Sequence, residues 1–577
     1  MLEFIIEDAQ PFYILKSNSF QSFVQSLNPS YNLPTQEKID EMLEYNYQNV
    51  QNLLIEIMER ESKYISLTSD FWTSRGKHGY LGITCHWISN EYQPQEALLS
   101  LVHIPYPHTS EVISKKLQEI IFSWKLEEKV ICITTDSGSN FIKAVKLLQR
   151  VFFDIKRVSC NAHTLNLVVR KSLKINIDIQ KFILRVKRLI KFFSSPKRCE
   201  ILEKEQENLN YPKIYKIIND VSTRWNSTYY SWQRLILLKD AITHLPSRYR
   251  ADQNKEVRKE ANKLERILLS EPEWTLMSDL VIVLKDFEEI TRKLSGATYI
   301  TFSLIYPSIY KLIKNLQEML PESTHLSINN EFEDSSEQLQ LDDQEDVFNI
   351  QDILEDEEVD EISILDSNTR KKINISRPIE TDGLKNLIIE ALLIYSKKYW
   401  DAPSNLSMVA TILDPRLKKL SFFEKEDIRT TIFNLREEYE LSRRNNSNNL
   451  QNETCEVEED SESLIDLTNN NVLGSSIFSQ ILPADDENNN ESDEITCYLS
   501  TKVRNDINPL DWWRDNEKDF PTLSLLAKKF FCIPATSTPS ERLFSDVGNC
   551  ITSKRTNLKP DRVGKMMFLK RNMKFIL

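Results

Sequence analysis

The sequence lacks several features that would place it in a membrane or outside the cell. No apolar run approaches the about 20 residues that a membrane-spanning helix needs, and the N-terminus, MLEFIIEDAQPF, lacks the basic start of a signal peptide. No Cys-x-x-Cys pair occurs among the eight cysteines, which argues against a zinc finger or a disulfide framework. We therefore expect an intracellular protein with reduced thiols, and its 577 residues allow roughly three to four domains.

Lysine and arginine are missing from two long stretches. Residues 327–369 carry sixteen acidic side chains and residues 446–501 carry thirteen. Without these 29 negative charges, the net charge of -13 becomes +16 for the rest of the chain. A basic body is compatible with DNA phosphates, whereas the whole-chain charge is not. We predict that both acidic segments are disordered, either competing for the basic surface or simply solvated.

Two aspartates come at the ends of strand-like segments. The stretch from Tyr64 to Ile88 predicts two strands joined by a short turn, and Asp70 lies where the first strand should stop. The apolar segment from Lys129 to Thr135 predicts a further strand that ends at Asp136. Between them, the sequence predicts a third strand around Glu96 to His103 and a helix from Ser110 to Trp124. Three strands, a helix and a fourth strand are the arrangement of a ribonuclease-H-like sheet, in which the two carboxylates could share a divalent metal. Alternatively, Asp70 only initiates a turn.

Two other clusters contain candidate site residues. Cys160 and His163 could be half of a zinc site, but no second pair with ligand spacing follows, so His163 is more simply a polar contact at the rim of the sheet. Arg224 next to Trp225 offers a phosphate-binding fork beside a flat surface for stacking an unpaired base. Packing of Trp225 in a core is the alternative.

A third acid occurs near the end of the chain. Pro539 and Ser540 predict the start of a helix, which places Glu541 in its first turn. There, Glu541 is either a charge that favours the helix N-terminus or a third ligand that joins the two strand-end aspartates.

Seven stretches in chain order resemble the hAT superfamily of DNA transposases, which comprises Activator-like and hobo-like elements and their zinc-finger-BED derivatives. They are LTSDFWTS with YLGITCHWI, TTDSGSN, CNAHTLNLVV, STRWNSTYY, LDPR, NPLDWW and IPATSTPSERLFSDVGNCITSKRTNL. The resemblance covers essentially the whole chain. It implies an α/β plus all-α protein: a ribonuclease-H-like catalytic domain that is interrupted by a large α-helical insertion and followed by a C-terminal hAT dimerisation region.

The resemblance also implies a domain organisation. The predicted parts are an N-terminal helical layer (1–60), the first part of the sheet domain (61–200), a helical insertion with the acidic loop 327–369 (201–445), an acidic linker (446–501) and the dimerisation region that completes the catalytic domain (502–577).

On the matching positions, the resemblance implies that Asp70, Asp136 and Glu541 form a DDE triad that binds two Mg²⁺ or Mn²⁺ ions for phosphoryl transfer. The partners implied are DNA and a second copy of the chain, in the nucleus.

The same resemblance implies DNA contacts beside the triad. Arg224 and Trp225 would contact and stack on a distorted or flipped base, and His163 would lie at the rim of the active site.

One departure from the family pattern concerns specific DNA recognition. An N-terminal BED zinc finger is typical of the family, but this sequence opens directly in the helical layer. Either the sequence is a truncated version of a longer protein, or this copy has lost recognition of transposon ends. Two alternatives to an active transposase therefore remain: a catalytically inactive, domesticated dimeric regulator that binds DNA, and a stand-alone nuclease, against which the C-terminal blocks argue.

Overall fold

The computed structural model describes residues 1–8, 10–74, 77–220, 225–251, 253–321, 361–366, 369–401, 404–453, 493–504, 506–550 and 559–575. The strands are β1 (Ile65–Thr73), β2 (Gly79–Ile88), β3 (Pro94–Ile104), β4 (Val130–Thr135), β5 (Lys156–Ser159), β6 (Glu361–Asp366) and β7 (Thr369–Asn374). The α-helices are α1 (Leu2–Glu7), α2 (Asn18–Leu27), α3 (Gln36–Glu61), α4 (Ser110–Ser123), α5 (Ser139–Leu148), α6 (Asn161–Ser172), α7 (Ile177–Phe192), α8 (Pro196–Asn208), α9 (Trp225–Leu237), α10 (Lys239–Arg250), α11 (Lys255–Ile267), α12 (Glu271–Leu294), α13 (Ile305–Glu318), α14 (Leu384–Tyr399), α15 (Asn405–Leu413), α16 (Lys425–Glu453), α17 (Glu494–Ser500), α18 (Pro509–Asp515), α19 (Pro521–Phe531), α20 (Thr538–Cys550) and α21 (Pro560–Asn572).

The N-terminal helices precede the sheet, as the helical spacing predicts. Helix α3 buries one face, because its apolar residues recur at intervals of four and seven; these are Ile39, Leu43, Val50, Leu54 and Met58. Helix α2 is also present, but none of its residues is buried and Leu27 is 71% exposed. The expected packing layer is therefore formed by α3 and not by α2.

Five strands form a mixed sheet in the order β3-β2-β1-β4-β5. β1, β2 and β3 are joined by antiparallel pairing, whereas β4 and β5 run parallel to β1. The prediction that β1 stops at Asp70 is wrong, because this strand has two neighbours with different limits. Pairing with β2 continues to Thr73, while pairing with β4 ends at Thr68.

The two faces of the sheet pack against different hydrophobic cores. On one face, Leu67, Ile133 and Cys85 belong to a core that includes α3, α4 and α5, and the Cys85 thiol lies 3.7 Å from the sulfur of Met58. On the other face, Cys132 joins the core of the helices between α6 and α19. The sheet is therefore covered on both sides.

The helices after β5 form a second block. After the fifth strand, the sequence pattern predicts one long helix that continues through Arg170 to Phe193. This prediction is wrong, because the chain turns after Ser172 and α7 begins afresh at Ile177. The side chain of Asn176 caps α7 by accepting a hydrogen bond from the backbone N–H of Asp178 at 2.7 Å. No described helix is both long and apolar enough to cross a membrane.

The predicted acidic loop 327–369 is only partly described. Its last residues are not irregular, because β6 pairs with β7 in an antiparallel hairpin. The preceding residues 327–360 lie outside the described residues, as do residues 454–492 of the predicted linker 446–501. Its first residues, up to Glu453, continue α16.

The C-terminal helices begin earlier than the sequence predicts. After NPLDWW, the sequence predicts a helix at residues 515–518. This prediction is wrong, because the helix there is α18, which starts at Pro509 and ends at Asp515. Asn508 caps it by accepting from the backbone N–H of Leu510 at 3.1 Å, and a proline is favourable at the first helical position. Helix α20 confirms the predicted start near Pro539.

The last helix, α21, packs against the edge strand β3. The buried Asn572 side chain accepts a hydrogen bond from the backbone N–H of Leu98 at 3.0 Å and donates one to its carbonyl oxygen at 2.8 Å. The side-chain amide of Asn572 thus pairs with both the N–H and the carbonyl oxygen of Leu98, as the backbone of a further strand would. The C-terminus therefore completes a sheet that begins at residue 65.

Candidate active site

Asp70 and Asp136 lie at matching positions on neighbouring parallel strands. Thr68 of β1 pairs with Thr134 of β4, and each aspartate follows two residues later. The register therefore brings Asp70 and Asp136 to the same end of two neighbouring parallel strands.

Each carboxylate also binds its own loop. Asp70 accepts a hydrogen bond from the backbone N–H of Phe71 at 2.8 Å, and Asp136 accepts one from Gly138 at 3.1 Å. Arg157 on β5 donates to the carbonyl oxygen of Asp136 at 2.5 Å and to the hydroxyl of Thr135 at 3.0 Å. The backbone at Asp136 is thus fixed by a cation from the next strand.

Glu541 approaches these strands from the far end of the chain. The residue before it, Ser540, shares a hydrogen bond of 2.7 Å with the Thr68 hydroxyl, and Thr134 donates to the carbonyl oxygen of Pro534 at 3.1 Å. Residues 534–541 therefore cross β1 and β4 just before the two aspartates. A Cβ atom on Gly82, the residue paired with Asp70, would come within 3.0 Å of Leu543 and Phe544 of α20, so glycine permits the close approach of this helix.

A chain of buried hydroxyl groups continues from Ser540 into the sheet. Thr68 is 2.5 Å from the Thr84 hydroxyl, which lies 2.9 Å from Nε2 of His86. Burial lowers the pKa of His86 to about 4, so its imidazole is neutral at pH 7. The contact between α20 and the sheet is therefore polar but uncharged.

The donor chemistry of the three acids suits Mg²⁺ or Mn²⁺, which prefer carboxylate oxygens. Their arrangement does not provide a site with three protein ligands. In the part of the chain that the structure describes, no group of three or more His, Cys, Asp or Glu side chains is arranged to hold a metal ion. A cation held by Asp70 and Asp136 would therefore have to take its other ligands from water and a substrate phosphate.

The candidate half zinc site is a structural contact. Cys160 is fully buried and accepts a hydrogen bond from the backbone N–H of Ser537 at 3.2 Å. Burial, and then the negative charge of Glu541, raises the pKa of the Cys160 thiol to about 11, so the thiol is protonated at pH 7. His163 is half-buried in the first turn of α6, directly after β5.

Trp225 is a core residue in this structure. It starts α9, is 4% exposed, and contacts the rings of Tyr229 and Phe287. Of the two alternatives for Trp225, core packing describes this structure, and stacking on a base would require the start of α9 to move. Arg224 lies outside the described residues.

Asn161 is a site-supporting residue that the sequence interpretation missed. Its backbone N–H and its side-chain amide both donate to the carbonyl oxygen of Ala535, at 3.1 and 2.9 Å, and its side-chain oxygen accepts from the indole of Trp400 at 3.0 Å. It therefore joins α6, α14 and the segment that leads to Glu541. The local sequence carries no signal for this role, because its partners Ala535 and Trp400 are distant along the chain.

Comparisons with known proteins define the class of this chain. Residues 68–164 match the model of the ZBED1 RNase-like domain, residues 158–281 that of the ZBED1 RNase-like helical domain, and residues 492–573 that of the hAT family C-terminal dimerisation region. Asp70, Asp136 and His163 lie within the first match, and Glu541 lies within the third. The predicted resemblance is confirmed: the chain is related to hAT transposases and has a hAT-type dimerisation region.

Individual relatives agree with these matches. A putative AC transposase of Zea mays is 23% identical over 98% of this chain, and zinc finger BED domain-containing protein 4 of Homo sapiens is 24% identical over 100% of it. Zinc finger BED domain-containing protein RICESLEEPER 2 of Oryza sativa subsp. japonica is 24% identical over 42% of it. The chain spans 64% of the maize protein, 43% of the human protein and 35% of the rice protein.

Proposed function

We propose that this chain is a hAT-type transposase or a protein derived from one, which binds DNA and cleaves or transfers its strands with divalent metal. In this proposal, the sheet is a ribonuclease-H-like domain, and the helices between β5 and α20 are an insertion in it. The observation that carries the proposal is the register of β1 and β4. It brings Asp70 and Asp136 to the same end of two neighbouring strands, although the two residues are 66 positions apart in the chain.

The proposed roles follow from the positions of the side chains. Asp70 and Asp136 would hold the metal, and Glu541 would approach it from the start of α20. When bound, Mg²⁺ or Mn²⁺ would activate water or a 3′-hydroxyl and stabilise charge on the phosphate oxygens. Arg157 fixes the backbone of Asp136, so that this carboxylate is held before substrate arrives.

We further propose that the active form is a homodimer or higher oligomer in the nucleus. The match of residues 492–573 to a dimerisation region supports the oligomer, and the basic charge of the chain outside its acidic stretches supports DNA as a partner. Arg224, Trp225 and His163 remain candidates for DNA contacts. Transposon ends and genomic DNA are both candidate substrates.

A second candidate is a catalytically inactive, domesticated regulator that binds DNA as a dimer. It is favoured by the absence of a three-ligand group among the described residues. It requires the aspartates to have only a structural role, such as the loop hydrogen bonds that they already make.

The test is cleavage of a duplex that carries the terminal sequences flanking the gene, with Mg²⁺ or Mn²⁺. Wild type should cleave and Asp136→Asn should lose at least a hundredfold in rate, while both bind the duplex equally in a gel-shift assay. The matched control is Asp154→Asn, which changes an exposed aspartate elsewhere on the domain. Binding without cleavage by the wild type would instead establish the inactive regulator, and equal cleavage by the Asp136 variant would exclude the proposed metal site.

A further inference from the structure

The loop between β3 and α4 lies beside the strand ends that carry Asp70 and Asp136, and it presents an exposed aromatic ring. Tyr106 at its tip is 89% exposed, more than any other large hydrophobic side chain among the described residues. Single exposed aromatic rings are common on protein surfaces, so what distinguishes this ring is its place on a loop that is anchored beside the two acids.

The loop is anchored to the neighbours of both aspartates. The ring of His108 packs on Phe71, the residue after Asp70, with 4.4 Å between ring centroids. The carbonyl oxygen of His108 accepts a hydrogen bond from the side-chain amide of Asn140 at 3.2 Å, in the helix that follows Asp136. The loop therefore has a fixed position relative to the two acids.

A glycine makes this packing possible. A Cβ atom on Gly79 of β2 would lie 2.5 Å from Phe71 and 2.6 Å from Cε1 of His108. Any larger residue would push the loop away from β1. The backbone N–H of Thr109 also donates to the carbonyl oxygen of Pro107 at 3.0 Å, which closes the loop just after its tip.

Three imidazoles surround the base of the loop. The ring centroids of His78 and His103 are 5.2 Å apart, and His108 lies 6.0 Å from the ring of Tyr106. Burial, and then the charges of the other two histidines, lowers the pKa of His103. The exposed Lys77 precedes His78, and the nearby carboxylate of Glu111 accepts from the Ser110 hydroxyl at 3.1 Å. Among the described residues, no three or more potential ligands are arranged to hold a metal ion, and this finding includes the three imidazoles.

We propose that Tyr106 is a stacking platform for an unpaired base of a DNA strand that runs to Asp70 and Asp136. The imidazole N–H groups and Lys77 would contact the phosphates on either side of that base. Stacking on an aromatic ring beside cationic groups is a general means of holding single strands without reading their sequence. The inference rests on the proposed function only in taking DNA as the ligand, and it does not require cleavage.

The experiment measures binding by the full chain to a fluorescein-labelled 20-nucleotide single strand and to the matching duplex, by anisotropy in EDTA so that no cleavage occurs. Three variants are compared with wild type. Tyr106→Ala removes the ring, Tyr106→Phe keeps it, and Phe153→Ala removes a ring that is 80% exposed on another loop.

We expect Tyr106→Ala to weaken binding of the single strand by about tenfold, in line with the loss of one stacked base. Tyr106→Phe and Phe153→Ala should stay within about twofold of wild type, and binding of the duplex should change little. The proposal is overturned if the wild type does not bind the single strand, if the Ala variant binds it like wild type, or if both DNA forms or both Ala variants are affected equally. A protein that shows the expected pattern but never cleaves DNA would contradict the proposed catalysis and leave this inference intact.

Discussion

The hydroxyl oxygens of Thr68 and Ser540 lie 2.7 Å apart, although 472 positions separate the two residues in the chain. Both side chains are completely buried. This contact joins the first strand of the sheet to the helix that carries Glu541, one residue beyond Ser540. The position of the third acid therefore depends on a hydrogen bond between the two ends of the protein.

Replacing Ser540 by alanine should weaken the contact between α20 and β1. Loss of a buried hydrogen bond costs about 1 kcal/mol of unfolding free energy, and a looser α20 should also reduce metal-dependent cleavage. Urea unfolding and cleavage rates measure the two effects. Ser545→Ala is the control, since Ser545 is exposed on the same helix. An equal loss of cleavage in both variants would show that the hydrogen bond does not position Glu541.

Metal binding should depend on DNA. The described residues offer two carboxylates at the same end of two neighbouring strands but no group of three ligands, and a phosphate commonly supplies the missing ligands of Mg²⁺. Titration with Mn²⁺, followed by electron paramagnetic resonance, should show weak binding by the protein alone. Adding DNA should increase the affinity at least about tenfold, beyond what the same DNA binds without protein.

Asp70→Asn should abolish this increase, because it removes one of the two charged ligands. Asp154→Asn should preserve it. If Mn²⁺ binds tightly to the protein without DNA, a complete site exists already and the two-carboxylate description is wrong.

The ion pair between Arg185 and Glu273 should be important for the stability of the helical block. Both side chains are at most 1% exposed, Nε of Arg185 is 2.6 Å from the carboxylate, and the same guanidinium donates to the carbonyl oxygen of Ile375 at 2.7 Å. Glu273→Gln leaves a buried cation without its partner, which costs about 3–5 kcal/mol. The urea midpoint should fall accordingly.

An exposed pair provides the comparison. Arg250 and Glu265 form an ion pair on the surface of the same block, with side chains 56% and 47% exposed. Glu265→Gln should change the unfolding free energy by less than about 1 kcal/mol. Similar losses in the two variants would mean that burial of Arg185 is not what makes its ion pair important.

His86 should make the sheet domain sensitive to acid. Burial, opposed by Glu96 and aided by Lys574, lowers its pKa from 6.5 to about 4, so the unfolded chain binds a proton more readily than the folded one. Stability is therefore full above pH 6.5 and is lost as the pH falls towards 4. Between pH 7.5 and pH 5 the loss from this residue is about 2 kcal/mol.

His86→Gln should remove that part of the acid sensitivity, since glutamine keeps a polar side chain without titrating. Chemical unfolding at the two pH values measures the difference. His244→Gln, in a different region of the chain, is the control, and an unchanged pH dependence in the His86 variant would contradict the assignment.

The sequence predicts the sheet well because its strands are apolar and end at recognisable turns. The predicted end of β1 at Asp70 is wrong, because β1 stops pairing with one neighbouring strand before it stops pairing with the other. The local sequence pattern does not reveal which strands are the neighbours. It also fails between α6 and α7, where helical periodicity continues across a break set by the cap at Asn176. Tertiary packing decides both cases.

The candidate site is predictable for a different reason at each position. Asp70 and Asp136 are candidates from the sequence because each lies near the end of a strand-like segment, although this pattern left a turn as the alternative for Asp70. Glu541 enters through the resemblance to a family, because nothing local links residue 541 to residue 70. The support from Asn161 and Ser540 was not predictable, since single buried polar residues acquire meaning only when their partners are known. Trp225 shows that an aromatic residue next to arginine is equally consistent with a core.

The hydrogen bonds from Asn572 to Leu98 have a consequence for how the protein is made. The sheet leaves the ribosome early, but the helices that cover it and bring the third acid are translated last. A premature stop or a frameshift before codon 541 would remove both Glu541 and α21. Such a chain would keep all five strands of the sheet but would leave the edge strand β3 without the helix that packs against it.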